Sequence, residues 1–108
     1  MKQTNMKQTI KHIIYDTRKA KLAAQSSAEF QSDPDFLWSE KLYVTAKGTW
    51  FLHAEGGGMT KYARQKFTQL IGGEVILPLT AVEALDWCER NGAQRAIEIH
   101  FKDLVEEA

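Results

Sequence analysis

The clearest pattern along the chain is an alternation of apolar and polar positions from Leu42 to His53, broken by Ala46-Lys47-Gly48. Period-two alternation on both sides of a short glycine-bearing turn predicts a β-hairpin. Leu42 and Val44 then share one face, opposite Tyr43 and Thr45, while the return strand separates Trp50 and Leu52 from Thr49, Phe51 and His53. Large apolar side chains fall on both faces, so both are expected to be covered. The second strong pattern is helical. Thr80 and Glu83 form a capping box, Leu79 is placed to staple the entry, and Ala81, Ala84, Leu85 and Cys88 recur on one face until Asn91-Gly92 stops the helix.

Weaker signals fill the rest. Ile10, Ile13, Ile14 and Tyr15 predict a first strand ending at Asp16-Thr17, two residues suited to cap a helix over residues 18–24. From Ser26 to Glu40, Ser-Ser and Asp-Pro-Asp breaks alternate with Phe30, Phe36 and Trp38, which predicts an irregular loop folded over the core. Gly56-Gly57-Gly58 must swing the chain, and residues 59–67 hold enough helix formers for a short helix. Residues 74–77 predict a strand closed by Pro78. Beyond Arg95, Ile97, Ile99 and Phe101 alternate like a strand. The spacing of Ile97, Phe101, Leu104, Val105 and Ala108 is helical over a longer stretch and favours a terminal helix. The near-duplication MKQTN-MKQTI is polar and predicts a flexible extension over residues 1–7, with 8–108 as one domain. The sum is an α+β fold, a small and mainly antiparallel sheet around the central hairpin with helices packed on one face.

A length of 108 residues suits a single core, and 44% apolar content with 14 basic against 14 acidic residues places the chain among ordinary soluble proteins. Bulk charge therefore asks for no nucleic-acid partner. The charge is uneven, however: Lys2, Lys7, Lys11, Arg18, Lys19 and Lys21 open the chain, and Asp103, Glu106 and Glu107 close it. The bland expectation is a solvated surface or an intramolecular pairing of the two ends. A single cysteine, Cys88, permits no intramolecular disulfide, and its place beside Trp87 in a predicted helix makes it a packing residue. The absence of an apolar leader or span leads to an expected cytoplasmic location with no membrane partner.

No spacing assembles a complete catalytic set. His53-Ala54-Glu55 begins the zinc-deaminase signature, but the Pro-Cys-x-x-Cys half that completes the zinc site is missing. His12, His53 and His100 show no metal-ligand spacing, and the glycine triplet lacks a following Gly-Lys-Ser/Thr. Asp16, Glu55 and Glu74 supply carboxylates that nothing in the sequence brings together. The expectation is a protein with no catalytic residues, cofactor or metal, acting through Phe36, Trp38, Tyr43, Lys47 and Trp50 as a partner-binding surface for another protein. The alternative is nucleic-acid binding, with Tyr43 and Trp50 stacking on bases beside Lys47, and with the basic N-terminal arm, Lys61 and Arg64 on phosphates. It is not favoured, because the interleaving of basic and aromatic residues is thin.

Two stretches carry a resemblance. At Leu42–Ala63, LYVTAKGTWFLHAEGG followed by KYA, and at Val75–Trp87, VILPLTAVEALDW, the chain resembles a group of small accessory proteins of bacterial phages, plasmids and other mobile elements. Tyr15-Asp16-Thr17 is similar to that group's opening, whereas the segment after Gly92 falls where its members vary. The resemblance implies an accessory protein with no assigned enzymatic activity. In that setting, small single-domain proteins bind and blunt host machinery, including CRISPR and restriction systems, or regulate the element's own genes. The implied partner is a host or phage protein.

Overall fold

In a computed structural model, which describes residues 5–28 and 32–108, the chain runs β1 (Lys7–Ile10), β2 (Ile13–Asp16), β3 (Lys21–Ser27), β4 (Trp38–Val44), β5 (Trp50–Gly56), β6 (Arg64–Lys66), β7 (Gln69–Ile71), β8 (Gly73–Leu79), α1 (Ala81–Arg90) and α2 (Gln94–His100). Four strands form the central antiparallel sheet in the order β3-β4-β5-β8, and β1-β2 and β6-β7 are separate two-stranded hairpins. This is the expected α+β architecture.

The β4-β5 hairpin is the centre. Leu42 faces Leu52 and Val44 faces Trp50 across one side of the ladder, while Tyr43 faces Phe51 across the other. The first side packs under the helices, where Leu42, Trp50, Leu52 and Ala54 meet Ala84, Leu85, Cys88, Ile97 and Phe101. On the second side Tyr43, Phe51 and Ile76 lie beneath Tyr15, with Met6 and Ile10 of the first hairpin packed against them. Phe51 stacks on Tyr43 at 5.3 Å between ring centroids and meets Tyr15 edge-on at 5.4 Å, and Trp50 stacks on Phe101 at 4.7 Å. Tyr43 and Trp50 are each only 6% exposed, so both are core anchors rather than members of an exposed aromatic surface. The physical reason is that each sheet face has its own cover, and burial of a large side chain contributes about 1.5–3 kcal/mol.

Local propensity fails where pairing competes with it. The patch from Ile10 to Tyr15 is a tight hairpin rather than one strand: Lys11 and His12 both take positive φ, 49° and 70°, the pattern of a type I′ turn. Met6 consequently belongs to the fold, its N–H donating to Thr17 Oγ1 at 3.0 Å and its carbonyl accepting from Thr17 N at 3.0 Å, so the expected flexible extension over 1–7 is too long. Residues 18–24 are not a helix. Asp16 does cap a turn, accepting from Arg18 N at 2.9 Å, but this is a single 3-10 turn over Thr17–Lys19, after which the chain pairs with β4 as an edge strand. Residues 59–67 form turns and then β6, not a helix. Pro78 lies within β8, which tolerates a missing N–H because it is the other edge of the sheet. The terminal helix is real but ends at His100, with Phe101 turned into the core and a 3-10 turn over Lys102–Leu104 behind it. Phe30, expected in the aromatic loop, lies outside the described residues.

The capping box is formed in full: Glu83 N donates to Thr80 Oγ1 at 3.1 Å, and Thr80 N donates to Glu83 Oε1 at 2.8 Å. The glycine triplet is a backbone junction. Gly57 N donates to Leu37 O at 2.9 Å and Met59 N to Asp35 O at 2.8 Å, and a Cβ at Gly57 would strike the carbonyl oxygens of Pro34 and Asp35. Gly57→Ala is therefore expected to destabilise the fold by about 1–3 kcal/mol, since the obstacle is backbone that cannot swing aside. Thr80→Ala, losing one cap, is expected to cost about 1 kcal/mol. Thermal unfolding of both variants checks this, and a Gly57→Ala protein melting with the wild type would refute the junction.

Candidate functional site

Strand alternation puts Trp38 and Glu40 on the same sheet face as Leu42 and Val44. The helical cover ends at Arg90 and Asn91, and the Trp38 end of the face opens into a cleft of about 740 Å³. Its walls are Phe36, Trp38, Met59 and Trp87, and Lys61 and Arg90 add two exposed cations. Phe36 is positioned by the 3-10 turn over Pro34–Phe36, which Asp33 caps by accepting from Asp35 N at 3.0 Å. Met59 is 58% exposed and held there by its backbone bond to Asp35. The glycine junction thus brings the Phe36 turn and the Met59 turn to the same side.

Glu40 forms the floor. Its side chain is buried, yet it accepts from three donors on two other segments: Trp87 Nε1 at 2.8 Å on Oε1, and Lys61 Nζ at 3.2 Å and the Tyr62 hydroxyl on Oε2. Burial is the largest single influence on the carboxyl and pushes its pKa up. The hydrogen bonds from Tyr62, Trp87 and Lys61, with the Lys61 charge, together outweigh it and hold the group below the ordinary glutamate value. Burial, reinforced by the hydrogen bond and charge of Glu40, raises the Tyr62 phenol well above its ordinary range. Both groups therefore keep their neutral-pH forms, and the arrangement is a fixed ionic floor beneath apolar walls.

Of the five residues expected to bind a partner, Phe36 and Trp38 line this cleft, and Tyr43 and Trp50 are in the cores. Lys47 sits in the β4-β5 turn at the far end of β4, about 20 Å from Trp38 at the rise of an extended strand. His53 and Glu55 do share one face of β5, but they do not form an acid–base pair. The His53 ring is 3% exposed, with Nε2 3.2 Å from Glu74 Oε2 at an angle that leaves neither ring nitrogen hydrogen-bonded. Glu55 accepts from Ser39 Oγ at 3.3 Å and lies directly across the ladder from Glu74, and both carboxylates line a second cleft with Arg64. The β5-β8 register is what joins these two glutamates, and Asp16 is elsewhere, capping its own turn. Among the described residues no three His, Cys, Asp or Glu side chains converge to hold a metal, and no ion pair joins the basic start of the chain to its acidic end. Among them, too, no helix is long and apolar enough to cross a membrane.

Sequence reasoning missed Glu40, Met59, Lys61, Tyr62 and Trp87 as a group. One signal was available: alternation carried back from Leu42 puts a carboxylate in the apolar stripe, and such a charge must be paired. In comparisons with known proteins, the chain matches no family model, no curated protein and no solved structure.

The Glu40 carboxyl carries a pH signature. Its folded pKa lies below the ordinary 4.5, so its contribution to stability is complete above that value and is lost as pH falls through the lowered one. Glu40→Gln is expected to lower stability near neutral pH and to flatten the acid limb, which denaturant unfolding from about pH 7 to about pH 3 will show. An acid limb as steep as that of the wild type would assign it to other carboxylates.

Proposed function

We propose that the protein is a non-enzymatic accessory protein of a mobile element, acting in the cytoplasm by binding a host or phage protein, with defence machinery of the CRISPR or restriction type as the target class. The observation that carries this reading is the aromatic cleft at the Trp38 end of the sheet. Exposed Phe36 and Met59 sit beside Trp38 over a floor fixed by Glu40, which gives rigid apolar area rimmed by charge, the composition of a binding hot spot. The resemblance of the hairpin and the capped helix to mobile-element accessory proteins supports the setting.

A protein partner is preferred to a nucleic acid because the cations are divided. Lys21 and Lys47 lie at the Val44 end of the sheet, whereas Lys61 and Arg64 lie at the Trp38 end, and Lys61, though exposed, is paired with Glu40. No single basic track follows from that placement.

Phe36→Ser combined with Met59→Ser is expected to leave the melting temperature within a few degrees of the wild type, since both side chains are exposed, and to weaken capture of the protein partner from host lysate at least tenfold, at about 1.4 kcal/mol per decade. Tyr43→Phe serves as the buried control and should leave capture unchanged. Equal capture by the double variant would sink this reading.

A further inference from the structure

Between β5 and β8 the chain makes a two-stranded finger, β6-β7, that pairs only with itself. Lys66 pairs with Gln69, which leaves Phe67-Thr68 as a two-residue loop at the tip. Phe67 takes φ +56° at the first loop position, where a hairpin turn of this kind favours glycine, and its ring is 88% exposed. Gln65 Nε2 steadies the tip by donating to Phe67 O at 3.2 Å. An aromatic side chain thus occupies a strained position with no packing inside the fold to account for it, the kind of outlier that points to use. The finger's own sequence is cationic: from Thr60 to Gly73 there is no acidic residue, and Arg64 and Lys66 are both exposed, Lys66 next to the tip and Arg64 at the base beside the Glu55–Glu74 cleft.

The complement is on the same molecule. The end of α1, α2 and the segment behind Phe101 enclose a cleft of about 720 Å³, within the range of sites that hold a large side chain. Cys88, Ile97 and Val105 give it an apolar lining, and Glu89, Glu98, Glu106 and Glu107 give it an acidic rim, with Lys102 as the lining's lone cation. Among the described residues none of these glutamates forms an ion pair.

We infer that the finger of one copy docks, Phe67 first, in this acidic-rimmed cleft of a second copy, so that the chain self-associates head to tail. The convex element carries an aromatic tip with cationic flanks, and the concave one carries an apolar lining with an anionic rim. The two surfaces differ, so each contact is head to tail: reciprocal insertion closes a two-fold dimer, and one-way insertions continue into a ring or a longer assembly.

Sedimentation of the purified full chain across a concentration range tests this without any foreign partner, so its failure leaves the Phe36–Met59 surface untouched. The expected result is a mass that rises above the monomer with concentration and falls back as salt is added. Phe67→Gly should weaken association at least about tenfold with an equal or higher melting temperature, because glycine suits the turn. A finger reversal, Arg64→Glu with Lys66→Glu, and a cleft reversal, Glu98→Lys with Glu106→Lys and Glu107→Lys, should each be monomeric alone. Mixed in equal amounts they should associate, since the acidic finger of one then meets a basic rim on the other. A wild type that stays monomeric throughout, reversals that associate like the wild type, or a mixture that does not recover would each overturn the inference.

Discussion

Taking a carboxylate out of water costs several kcal/mol unless other donors replace the solvent. Glu40 meets that condition only when three parts of the chain are in place at once: β4, which carries it; α1, whose Trp87 reaches Oε1; and the turn after the glycines, whose Lys61 and Tyr62 reach Oε2. The helix and that turn are therefore not free to shift separately against the sheet. Moving either would strand a buried charge on one side and a buried indole or phenol donor on the other, the costly form of an unmade hydrogen bond. The aromatic cleft inherits its rigidity from this arrangement, because Trp87 is both a wall of the cleft and a ligand of its floor.

How much of the fold was legible depended on where the deciding interactions lie. The β4-β5 hairpin and the capped α1 were readable because alternation, a glycine turn and the Thr80–Glu83 box act within a few residues of one another. β3 was not, since residues 18–24 have acceptable helix formers and become a strand only because β4 offers an edge. The first hairpin hid for a different reason: a Lys-His loop carries none of the Asn-Gly chemistry by which such turns announce themselves. The stop at His100 follows from Phe101 being drawn under Trp50, a contact across half the chain.

The site was legible in pieces. Phe36 and Trp38 could be picked out as large apolar residues in a segment rich in breakers, but the same reasoning took in Tyr43 and Trp50, although the alternation of the hairpin already asked for a cover on each of its faces. Glu55 and Glu74 looked unrelated until the β5-β8 ladder set them opposite one another. Met59, Lys61 and Tyr62 join the cleft through the close backbone packing of the glycine triplet, whose need for an absent Cβ can be recognised only once the neighbouring strands are in position.

Gly56 and Gly73 face each other on the last rung of the β5-β8 ladder, so the chain leaves the sheet and re-enters it at a single point. Everything between them, residues 57–72, is an excursion whose ends the sheet has already brought together. The entropy of closing such a loop grows only slowly with its length. The excursion can therefore be lengthened, shortened or rewritten beyond its anchoring contacts while the strand register on either side stays fixed. The ladder thus separates the part of the sequence that has to fold from the part that is free to vary.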